Sequence, residues 1–128
     1  MDIDIDIARD IRAPAQARRA VAQLGRRLHP AVLADATLLV SELVSNSVKY
    51  GEGPVVALRV QTRGPRRVRV EVVDAGQGFS PASRQETPYP SGGFGLQLVD
   101  EIATSWGMRH GDTRVWFEID RSSDLVAA

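Results

Sequence analysis

The sequence predicts a two-layer α/β sandwich: a mixed, largely antiparallel sheet covered on one face by three helices. Three observations carry that expectation. The chain has 128 residues, the size of one domain. Segments of period two and of period 3.6 succeed one another along it. Each helical segment is apolar on one side only, so each needs another element to cover it. Residues 1–120 are expected to form the domain and 121–128 a C-terminal tail, frayed from Ser122 onward.

Ile3, Ile5 and Ile7 alternate with Asp2, Asp4 and Asp6, which predicts a short edge strand with the isoleucines on one face. From Pro14, suited to a first helical turn, to Leu28 the residues Ala17, Val21 and Leu24 recur at helical spacing, with Arg18, Arg19, Arg26 and Arg27 mostly elsewhere. His29-Pro30 breaks that helix. Residues 31–50 form the strongest helical segment, with Leu33, Ala36, Val40, Leu43, Val44 and Val48 on one broad face. Gly51 to Pro54 end it in a turn. Val55 to Thr62 and Arg67 to Val73, joined by Arg63 to Arg66, predict an antiparallel hairpin. Residues 76–93 are rich in Gly, Ser and Pro and predict a long loop. A helix from Gly95 to Thr104 follows, built on Leu96, Val99 and Ile102 with Asp100 and Glu101 outward, then strands over Trp106 to His110 and Arg114 to Ile119.

Sixteen basic and sixteen acidic residues cancel, so there is no charge footprint for nucleic acid or an anionic membrane. No apolar run approaches the roughly 18 residues of a spanning segment, and the N-terminus lacks a signal-peptide pattern. A cytoplasmic protein without direct nucleic-acid or membrane partners is the expectation. Zero cysteines exclude disulfides, thiolate zinc sites and cysteine nucleophiles. Fifteen of the sixteen basic residues are arginine, and Lys49 is the only lysine.

Three segments carry polar chemistry. Glu42, Asn46 and Lys49 follow at spacings of four and three on the side of the helix away from its apolar face, with Tyr50 beside them. A carboxylate and a carboxamide one turn apart can serve a hydrated magnesium ion, and a lysine can meet a phosphate. The same residues also describe a solvated helix face. Asp74-x-Gly76-x-Gly78 follows an apolar strand: the carboxylate can accept from an exocyclic amine, and the glycines let the backbone approach a flat ring such as adenine. On its own this is also an Asp-Gly turn. Gly92-Gly93-Phe94-Gly95-Leu96 leads into a helix, where free amides point toward an anion such as a triphosphate; on its own it is also a tight helix entry. The P-loop and dinucleotide patterns are absent.

In this order and spacing, the three segments resemble the ATP-binding domain of the GHKL superfamily over roughly residues 14–120, and most of all the single-domain anti-sigma-factor serine kinases of bacteria. The resemblance implies the Bergerat ATP-binding fold with ATP and Mg2+ as cofactors. By that resemblance Glu42 is the general base and Asn46 the magnesium ligand, with Lys49 and Tyr50 in the same box. Asp74 meets the adenine amine beside Gly76 and Gly78, while Gly92, Gly93, Phe94, Gly95 and Leu96 cradle phosphates, and Thr113 lies near adenine. Lys49-Tyr50 departs from the anti-sigma pattern toward that of sensor histidine kinases. His29 and His110 read as structural residues, and with no phosphoacceptor helix pair ahead of the domain a complete sensor kinase is not expected.

The resemblance therefore implies an ATP-dependent protein-serine kinase that sequesters a sigma factor and phosphorylates an anti-anti-sigma protein. The alternative is a catalytically silent module whose partner affinity ATP sets. A homodimer is a further expectation, through Ile3, Ile5 and Ile7 on the edge strand or the arginines of the first helix.

Overall fold

The computed structural model describes residues 2–75, 96–109 and 113–125. In chain order it contains β1 (Asp2–Ala8), α1 (Ala13–Ala22), α2 (Pro30–Tyr50), β2 (Val55–Thr62), β3 (Arg67–Asp74), α3 (Leu96–Ile102), β4 (Ser105–Arg109), β5 (Thr113–Asp120) and the single turn α4 (Ser122–Leu125). The strands lie in the order β1-β2-β3-β5-β4, and all four pairings are antiparallel. This is the α+β sandwich that the sequence predicts.

Alternation explains the sheet. Along β3, Val68, Val70 and Val72 are buried while Arg67, Arg69 and Glu71 turn outward, and the inner face continues through Val56, Leu58, Val60, Val115, Phe117 and Ile119. The helices close over that face. The alanines 13, 17 and 20 of α1 are buried, and such short side chains let α1 lie close against α2, which supplies Val32, Ala36, Leu39, Val40, Leu43 and Val44. By length and composition α2 could cross a membrane; here its apolar residues close the core.

Three local expectations need correction. The first helix stops at Ala22 rather than Leu28. Beyond it, short bonds from the amides of Leu24 to Val21 O and of Gly25 to Ala22 O tighten the chain, and this turn points Leu24 and Leu28 into the core. The apolar face of α2 is wider than its periodicity suggests, because Val32 and Leu39 are buried while Leu33 and Val48 are only partly so. Ile3 and Ile7 of the edge strand β1 are buried, and Ile5 between them is 37 % exposed. The tail is helical over Ser122–Leu125, started by Asp120, whose Oδ1 accepts from Ser122 N at 3.0 Å and Ser122 Oγ at 2.6 Å. His29 has the structural role expected of it, since its Nδ1 accepts from Ala31 N at 3.1 Å at the start of α2. His110, the loop 76–93 and Gly95 lie outside the described residues.

Candidate nucleotide site

Connectivity brings the site together. β2 leaves the C-terminal end of α2 through residues 51–54, and the antiparallel hairpin returns β3 to the point where β2 began. Asp74, the last residue of β3, therefore arrives beside the last turn of α2. There the carboxylate Oδ2 accepts from Ser47 Oγ at 2.7 Å, and Oδ1 lies 3.5 Å from Glu52 N. The backbones are also joined, Ala75 N donating to Glu52 O at 3.2 Å. Asp74 is only 5 % exposed, and burial without such donors would be costly for a carboxylate.

Two glycines make this approach possible. A Cβ on Gly51 would fall 2.1 Å from Asp74 Oδ2 and 2.6 Å from Ser47 O, so no side chain fits between the helix end and the acid. Gly53 has φ +89 and would press a Cβ to 2.8 Å from that of Ala75. In sequence both read only as turn residues. On the other side of β3 the register pairs Asp74 with Thr113 of β5, so two residues that the motifs place near adenine stand opposite each other on neighbouring strands.

Asn46 departs from expectation. It was expected on the outward side of α2 with Glu42, Lys49 and Tyr50, yet it is only 5 % exposed. α2 packs against α1, β3, β5 and α3, and both Asn46 and Ser47 are buried. Glu42, one turn earlier, is half-buried, Lys49 is exposed and Tyr50 is 46 % exposed. Leu96 opens α3 and packs against the core. Gly76, Gly78, Gly92, Gly93, Phe94 and Gly95 lie outside the described residues.

Two residues at the site escaped the sequence reading. Ser47 looked like a neutral spacer between motif positions, although its hydroxyl holds Asp74. Arg9 donates from Nε to Gly53 O at 2.7 Å and from Nη1 to Ser47 O at 2.9 Å and Val48 O at 3.1 Å. It thereby caps carbonyls at the C-terminal end of α2 with a cation. Periodicity carries no signal for a contact made 38 residues away in sequence.

The chemistry of these groups fits a magnesium nucleotide. Among the described residues, Asn46 Nδ2 is buried with no hydrogen-bond partner, a condition that costs about 1–3 kcal/mol. A bound acceptor, such as a phosphate oxygen, would satisfy it, and the amide's oxygen end is the kind of ligand that magnesium takes together with phosphate oxygens and water. Among the described residues no group of three or more His, Asp or Glu could hold an ion, so a divalent ion here would rely on oxygens brought by its ligand. The carboxylate of Asp74 is acceptor-only, the chemistry that an exocyclic amine needs.

In comparison with known proteins, the family model described as "Histidine kinase-like ATPase domain" matches residues 7–119. No curated protein matches the chain.

Proposed function

The chain belongs to the histidine kinase-like ATPase domain family, and from that premise we propose that it is an ATP-dependent protein-serine kinase. ATP binding follows from membership of the family; the kinase activity, the use of Mg2+, the bacterial anti-sigma role and the cytoplasmic setting are our reading. The observation that carries it is the buried Nδ2 of Asn46, without a hydrogen-bond partner among the described residues, one helical turn from Glu42 and next in sequence to the serine that holds Asp74.

In this reading, Asn46 and the nucleotide's own phosphates hold the magnesium ion, which supplies charge neutralisation during phosphoryl transfer. Asp74 accepts from the adenine amine, with Ser47 fixing the carboxylate's orientation. Glu42, half-buried on α2, takes the proton from the attacking serine hydroxyl. The phosphoacceptor serine belongs to an anti-anti-sigma protein, and the second partner is a sigma factor.

Partner capture is better supported on α1 than on β1. Ile3 and Ile7 are consumed by the core, and an antiparallel β1-β1 pairing would set Asp residues directly opposite one another, which is unfavourable. Arg18 and Arg19 are exposed on α1, Arg18 being fixed by its bond to Ser41 Oγ at 2.8 Å.

The test is phosphotransfer from magnesium ATP to a serine-bearing candidate partner, with Glu42→Ala beside the wild type. Phosphorylation that the substitution abolishes, with ATP binding and partner capture retained, supports a kinase. ATP binding that tunes partner affinity with no phosphotransfer by the wild type replaces it with the silent module.

A further inference from the structure

We propose that Arg9 is a positioning residue for base selection: through Ser47 it sets where the carboxylate of Asp74 stands. The inference rests on the ATP-binding reading above.

A continuous series of bonds runs from the end of β1 to the acid. The amide of Arg9 donates to Pro54 O at 3.0 Å, which ties its backbone to the start of β2. Its guanidinium spans the carbonyls of Ser47, Val48 and Gly53. Ser47 is the relay: its carbonyl accepts from Arg9 Nη1 and from Gly51 N at 2.8 Å, while its hydroxyl donates to Asp74 Oδ2 at 2.7 Å. Arg9 itself makes no bond to Asp74 among the described residues.

The geometry leaves this relay little slack. The space that a Gly51 Cβ would need is already taken by Asp74 and by Ser47 O, so the end of α2, the turn and the acid are in mutual contact. A displacement of a few tenths of an ångström in the helix end moves the carboxylate with it. Arginine suits the position because its rigid planar fork presents several N–H donors at once, whereas a lysine ammonium is a single point charge on a flexible stem. The arrangement joins the first strand to nucleotide recognition, a role that neither the motifs nor the family match gives to residue 9.

The full-length chain is titrated with magnesium ATP, magnesium GTP and magnesium tripolyphosphate, as wild type and as Arg9→Ala, Arg9→Lys and Ser47→Ala. Melting temperature without ligand is recorded for each. The expected result is that Arg9→Ala lowers ATP affinity about tenfold and leaves tripolyphosphate affinity within about twofold, so that the preference for ATP over GTP narrows. Arg9→Lys should restore only part of that preference. Ser47→Ala, which removes the hydroxyl bonded to Asp74 and keeps the Arg9 contacts, should narrow the preference similarly and checks the last link of the relay, while Arg9→Lys provides the test of Arg9 if Arg9→Ala does not fold. Unchanged ATP-to-GTP ratios in the folded variants, whatever the melting temperature, would overturn the proposal. Failure of the wild type to bind ATP at all would be a different result, and it would remove the nucleotide reading itself.

Discussion

The seam between α2 and β3 and the open face of the sheet are both polar, but they are built on opposite principles. At the seam a few groups are buried and tightly committed, as in the 2.7 Å bond from Ser47 to a 5 % exposed carboxylate. On the open face, Arg59, Arg69 and Arg114 gather around Glu71 at 3.9, 3.7 and 3.5 Å. Arg69 also lies 4.3 Å from the centre of the Trp116 ring. These side chains are partly solvated, so water screens the pairs and each contributes little. The difference separates polar groups that define one geometry from polar groups that keep a sheet face wet.

The sharpest way to break the contrast is to add one methyl group at the seam. Gly51→Ala should destabilise the chain by about 2–3 kcal/mol, because the clash is with backbone and a buried acid that cannot swing away. Urea denaturation measures it, and a change under 0.5 kcal/mol would show the seam to be loose. Asp74→Asn should lower ATP affinity by about 10- to 100-fold by replacing a charged, acceptor-only carboxylate with a neutral carboxamide that also carries donors; calorimetric titration that finds no change would deny the acid its role. Asn46→Ala should cancel most of the thermal stabilisation conferred by magnesium ATP while leaving the ligand-free melting temperature nearly unchanged, since the lost packing is offset by removal of an unsatisfied donor. Arg69→Ala on the open face should cost less than about 1 kcal/mol and leave ATP binding intact; a larger loss would make that network structural after all.

The smallest expected effect is on pH dependence. Asp10 and Asp120 both have carboxyls lowered from the ordinary 3.8. For Asp10 the first cause is the hydrogen bond from the backbone N–H of Arg12, and for Asp120 it is the hydroxyl of Ser122. A lowered folded value means that their contribution is complete above the unfolded value and is lost as pH falls through the folded one. Unfolding midpoints should therefore be insensitive to these two groups from neutrality down to about pH 4. Below that the wild type should lose stability slightly faster than Asp120→Asn, and identical acid limbs would show that the Ser122 contact contributes nothing in solution.

Much of this molecule was readable in residue order, because alternation and helical spacing are local consequences of backbone geometry. They placed β2 and β3, much of the apolar face of α2 and the acid at the end of β3. The same local signals misjudged Asn46, whose burial depends on elements brought against α2 from elsewhere in the chain. The short turn after Ala22 was missed because both helix and turn would bring Leu24 to the core. The motifs within 76–95 and residues 110–112 lie outside the described residues, so for them the sequence reading stands alone.

Residue order by itself determined the layers and the alternating sheet, since each follows from neighbours a few positions apart. Only the tertiary structure decided that Ser47 holds Asp74, that Gly51 must lack a side chain, that Thr113 stands across from the acid and that Arg9 closes the end of α2. Those relations join atoms brought together by the return of an antiparallel hairpin and the packing of one helix on another. No periodicity along the chain encodes distances of that kind.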